Sequence, residues 1–108
     1  MIPNETLDFG IESRWHEAFF EIFRQNPHIE RVTLFGSRAK GTQKPFSDID
    51  FCIYGPELNE LDAQRIKSDL EELYHPYFID MLAFSSVSNS ALKQEILKYE
   101  KPYYEKPS

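Results

Sequence analysis

The chain has 108 residues, 41% of them hydrophobic and 15% aromatic, with a formal net charge of −6. That suffices for one hydrophobic core and one domain, residues 1–108, and is too short for a catalytic domain beside a separate substrate domain. The apolar content excludes a disordered chain, the acidic balance argues against a broad surface for a nucleic-acid polymer, and no apolar run reaches the length of a membrane span. The opening stretch MIPNETLDFG lacks a basic region followed by an apolar one, so a cytoplasmic protein is expected. A single cysteine, Cys52, excludes an intrachain disulfide and a cysteine metal cluster; its strand context marks it as a small buried side chain.

In chain order, Ile11, Trp15, Phe19, Ile22 and Phe23 follow helical spacing, and Asn26-Pro27 stops that helix. RVTLFG reads as a short strand closed by Gly36, SRAKG as a turn or two of helix, and SDIDFCIYG as a second strand ended by Gly55-Pro56. Asn59 is placed to cap a helix over 60–74, with Glu60 and Asp62 in its first turn and Ala63, Ile66, Leu70 and Leu73 on its buried face. YFIDMLAF, 77–84, is a third strand, and Ser88 or Asn89 opens a last helix carrying Leu92, Ile96 and Tyr99. Trp15, Phe19 and Phe23 belong to the core. His16, His28 and His75 read as surface or helix-end residues, since no two have metal-ligand spacing on one face. The tail KYEKPYYEKPS, with Tyr99, Tyr103 and Tyr104, reads equally as a frayed end or as an amphipathic edge that meets a partner.

Helix, strand, short helix, strand, helix, strand, helix is the order of an α/β domain with helices on a small mixed sheet of three strands or slightly more. The helical crossover makes the second and third strands parallel. An antiparallel first pair would bring Gly36-Ser37 beside Asp48.

The chemistry gathers at that end. Side chains alternate along a strand, so Asp48 and Asp50 share a face with Cβ atoms roughly 7 Å apart. Both can reach one divalent cation, or bracket a pair about 3.5–4 Å apart, and Mg²⁺ takes this kind of oxygen donor together with phosphates. Asp80 is the third candidate. It shares its strand face with Phe78, Leu82 and Phe84, where an unpaired charge is expensive and a metal, or a proton to be abstracted, would explain it. Gly36 lets the backbone approach a ligand, Ser37 opens a short helix with free N–H groups, and Gly41 turns the chain back. From Arg31 to Ser47 there are four basic residues, Arg31, Arg38, Lys40 and Lys44, and no acidic one. Arg38, Lys40 and Lys44 are candidates to neutralise phosphate charge; which of them points inward is left open.

GSRAKG, then SDID, then IDML resembles the DNA polymerase beta-like nucleotidyltransferase superfamily: Gly-Ser, a spacer, Asp-x-Asp, and a third carboxylate on a following strand. The matching positions are Gly36, Ser37, Gly41, Ser47, Asp48 and Asp50. The resemblance covers nearly the whole chain and is to the minimal nucleotidyltransferases, including the MntA-type antitoxins. It implies binding of a nucleoside triphosphate, ATP above all, at Gly36, Ser37, Arg38, Lys40, Gly41, Lys44 and Ser47. It further implies Mg²⁺, two ions, on Asp48, Asp50 and Asp80, with Asp80 also as base for the attacking hydroxyl. The implied partner is an all-helical HEPN-type protein from a neighbouring gene, some family members transferring AMP to a tyrosine of it, in a homodimer or hetero-oligomer. The family most often carries arginine where Lys40 stands; lysine keeps the charge and loses the bidentate fork. Two alternatives stand beside this: a catalytically silent nucleotide- or partner-binding module, and a small-molecule nucleotidyltransferase, which 108 residues leave little chain to build.

Overall fold

The computed structural model describes residues 9–107, so the first eight residues, part of the stretch read above for a leader, lie outside it. The elements are α1 (Ser13–Arg24), β1 (Arg31–Phe35), α2 (Gly36–Lys40), β2 (Ile49–Tyr54), α3 (Glu60–Glu71), β3 (Ile79–Ala83), a 3-10 turn at Phe84–Ser86, α4 (Ser90–Tyr99) and β4 (Lys101–Glu105). The sheet order is β3-β2-β1-β4; β1 is antiparallel to β2 and β4, and β2 is parallel to β3. No helix among the described residues is long and apolar enough to cross a membrane.

Local chemistry sets the helix limits. The Asn26 amide donates to the Ile22 carbonyl (2.9 Å) at the end of α1, just before Pro27. Asn59 and Asp62 form a reciprocal capping box on α3. That helix stops at Glu71, short of the expected residue 74. Its last N–H groups, on Leu73 and Tyr74, bond three residues back, Tyr74 takes φ +57°, and Pro76 disfavours a helical residue before it. Asn89, rather than Ser88, caps α4 by accepting from the Leu92 N–H (3.0 Å).

The alternation of each strand sorts its side chains onto two faces. Val32, Leu34, Ile49, Phe51, Ile53, Ile79, Met81 and Ala83 pack under α1 and α3 with Phe19, Phe23, Ile66 and Leu70. Phe35, Cys52, Val87 and Ile96 form a smaller cluster on the opposite face, beneath α4. Trp15 is only half-buried at the margin of the larger core, unlike Phe19 and Phe23.

The tail is not frayed: it forms the edge strand of the sheet. It contains β4, which pairs with β1 across a register shift between Val32 and Thr33 and buries Tyr103 completely. Pro102 is tolerated because β4 is an edge strand. His16 is correspondingly not a surface residue: it is buried, with Nδ1 2.6 Å from the Tyr103 hydroxyl. His75 ends up half-buried among Trp15, Phe19 and Tyr77, and burial lowers its pKa. His28 is exposed, beside Glu57.

Candidate active site

The site forms where β1 ends and β2 begins. Phe35 is opposite Asp50 in the antiparallel ladder, so the next residue, Gly36, lies against the Asp50 side chain. Gly36 has φ +72°, and a Cβ there would collide with the Asp50 carboxylate. Glycine is thus required twice, by backbone conformation and by the carboxylate above it. On the other side of β2, Asp50 is opposite Asp80 in the parallel ladder, which places both on one face of the sheet. Asp48, two residues earlier, completes the group: oxygens from the carboxylates of Asp48, Asp50 and Asp80 all lie within 4.8 Å of one another.

Three like charges this close disfavour full ionisation. Burial pushes the Asp50 carboxyl up to about 6, reinforced by Asp80 and then Asp48, while the Arg38 charge acts the other way. None of the ion pairs among the described residues involves these three aspartates. An all-oxygen donor set left without a cationic side chain suits a hard divalent cation such as Mg²⁺. Asp80 and Phe78 are both exposed, so Asp80 is not set in an apolar wall and its charge needs no burial-based explanation.

The loop residues divide. Helix α2 begins at Gly36, one residue before the expected Ser37, and closes at Gly41, φ +77°, with the Thr42 N–H donating to the Ser37 carbonyl (3.0 Å). Ser37 is half-buried in the first turn of α2, directly after Gly36. The Ser47 hydroxyl accepts from the Lys44 backbone N–H (2.8 Å) and so closes the loop locally. Lys44 is exposed and, with Gly10, Arg38, Gln43 and Pro45, lines a cavity of about 380 Å³. The other two basic candidates point elsewhere. Lys40 pairs with Glu95 of α4 and stands 4.6 Å over the Tyr99 ring. Arg38 is turned inward, bonding the Ser47 and Phe9 carbonyls. Both were candidates for the phosphates, from charge and from the resemblance, with the inward-pointing one left open; charge does not reveal which acceptor is nearer. Glu95 and Tyr77 were missed, because nothing local in the sequence links them to the loop they touch; Gln43 lies within that loop and carries no charge to single it out.

The chain matches the family model described as Polymerase beta, Nucleotidyltransferase over residues 17–108, which include the whole site. It belongs to that nucleotidyltransferase family. Over 70 residues it is 37% identical to a protein of Methanocaldococcus jannaschii named for protein adenylyltransferase activity, a match covering 64% of this chain and 73% of that protein. Among solved structures it is similar to a chain of a toxin-antitoxin complex with AMP-PNP, at TM-score 0.69 and 23% identity, over 83% of this chain and 73% of that one. It is also similar to a chain in the complex of tri-AMPylated Shewanella oneidensis HEPN toxin with MNT antitoxin, at TM-score 0.64 and 18% identity, over 85% and 71%. These two likenesses establish the fold.

Proposed function

We propose that this chain binds ATP with Mg²⁺ and transfers AMP to a hydroxyl of an all-helical HEPN-type partner, as the antitoxin of a cytoplasmic two-protein pair. The observation that carries the reading is the convergence of Asp48, Asp50 and Asp80 beside the Gly36 turn. The relative named for protein adenylylation and the AMPylated HEPN complex of the structural neighbour support the choice of acceptor.

In this reading the three aspartates hold two Mg²⁺ ions, which when bound neutralise the triphosphate and lower the barrier at the α-phosphorus. Gly36 leaves the backbone open beside them, the Ser37 hydroxyl and the Gly36-Ser37 amides meet phosphate oxygens, and Lys44 supplies positive charge from the exposed side. The partner hydroxyl oxygen bonds to the α-phosphorus, its proton passes to the Asp80 carboxylate, and the bridging oxygen leaves with pyrophosphate. Positioning and charge neutralisation together drive such a step.

The test is incubation with ATP labelled at the α-phosphate, Mg²⁺ and the protein encoded next to this chain. Covalent label on that protein is expected, and none with an Asp48→Asn, Asp50→Asn variant that still folds. Nucleotide binding with no label transferred would assign the chain to the silent binding modules instead.

A further inference from the structure

Arg38 carries a charge within a loop expected to meet phosphate, yet it is only 2% exposed. Its guanidinium donates to the Ser47 carbonyl from Nη2 (2.8 Å) and Nε (3.3 Å), and to the Phe9 carbonyl from Nη1 (2.9 Å). The Tyr77 ring lies 5.4 Å from the guanidinium carbon. The planar fork is therefore anchored to two backbone segments far apart in sequence and backed by an aromatic face.

The carbonyl it grips is not an arbitrary one. The Ser47 C=O and the Asp48 N–H belong to one rigid peptide plane, so two donors on that oxygen fix where Asp48 starts and how it is tilted. One residue further on, the Ile49 N–H donates to the Phe78 carbonyl (2.8 Å), tying the chain to the strand that bears Asp80. Asp48 precedes β2 and has no ladder partner of its own within it. It is held from both sides, by Arg38 before it and by β3 after it. The segment across the fork is shaped to match: Gly10 has φ +76°, and a Cβ there would stand 2.9 Å from Arg38 Nη1 and 3.1 Å from Gln43 Nε2.

We infer that Arg38 is a positioning residue for Asp48, acting through the Ser47 peptide to place the first carboxylate of the metal-binding group, and that it does not contact the phosphates. The inference rests on the reading of the three aspartates as metal ligands given above. Lysine at this position keeps a charge but cannot grip one carbonyl with two donors while reaching the other.

The experiment is a Mn²⁺ titration of the full chain without nucleotide or partner, followed by ATP binding and transfer kinetics at saturating metal. Arg38→Lys is expected to weaken Mn²⁺ about tenfold, within the range for residues that orient metal ligands, and to lower kcat while KM for ATP stays within about twofold. Gly10→Ala changes none of the three aspartates; by crowding the fork it should weaken Mn²⁺ in the same direction, and it decides the matter if Arg38→Lys does not fold. Wild-type Mn²⁺ affinity in either folded variant overturns the inference, and in Arg38→Lys, combined with weakened ATP binding, it assigns Arg38 to the phosphates. A wild-type chain that binds Mn²⁺ and labels no partner removes the proposed transfer but not this inference; one that binds no Mn²⁺ removes both.

Discussion

Phe51 and Asp50 are adjacent on β2 and meet opposite environments. Phe51 is fully buried, with ring centroids 4.9 Å from Tyr103, 5.5 Å from Phe23 and 6.1 Å from Phe19. Asp50, on the reverse face, meets Gly36 and two further carboxylates, and its own charge is disfavoured by burial. The first face holds the strand in place through packing; the second gathers groups that repel one another. A cluster of like charges keeps its geometry here because the strand bearing it is anchored from behind, where packing is dense and independent of the charge state.

Three variants separate the faces. The largest effect belongs to Phe23→Ala, which empties a fully buried site against Phe51 and Tyr103 and should lower stability by about 3–5 kcal/mol in denaturant unfolding. Mn²⁺ affinity of the folded protein at low temperature should stay within about twofold of wild type; a larger change would mean that the faces are not separable. Next is Tyr103→Phe, which leaves His16 Nδ1 without that hydroxyl and should lower stability by roughly 1–2 kcal/mol in the same measurement. A neutral result would show that this hydroxyl adds nothing to the ring packing and backbone ladder that hold β4. The smallest effect has the opposite sign. The Asp50 carboxyl is raised from 3.8 to about 6, so the folded state binds its proton more tightly than the unfolded one, and stability from this group is lost as pH climbs through that interval. Without metal, Asp50→Asn should therefore melt roughly 2–4 °C above wild type at pH 8 and level with it near pH 4. Added Mn²⁺ should raise the melting temperature of wild type and not of the variant. A variant that melts lower at pH 8 would make Asp50 a structural residue.

Much of this arrangement is legible in the sequence because it is local. Asn59 before an acidic first turn marks the start of α3, and the alternation of Asp48, Asp50 and Cys52 against Ile49, Phe51 and Ile53 assigns the two faces of β2. The parallel placement of Asp80 follows from the helix between β2 and β3. What escapes depends on contacts distant along the chain. In β4, the consecutive tyrosines 103 and 104 are both buried, so the two-residue period is broken by the register shift against β1, and Pro102 looks like a terminator. The contact of His16 with the Tyr103 hydroxyl is hidden with it, since that tyrosine lies 87 residues away in the unseen strand. The placements of Arg38 and Lys40 escape for a related reason: the Phe9 carbonyl, which accepts from Arg38 beside the Ser47 carbonyl, and Glu95, which pairs with Lys40, come from outside the loop that carries them.

The direct pairing of Asp50 with Asp80 across two parallel strands has a bearing on how such a chain can drift over generations. Segments connecting β2 to β3 can lengthen, shorten or exchange helices without altering which rung faces which. One residue added inside either strand would instead swing an aspartate through the sheet and into the packing beneath α1 and α3. Tolerance to insertion should thus be highest in the exposed turn after α3, around Tyr74, and vanish inside β2, α3 and β3.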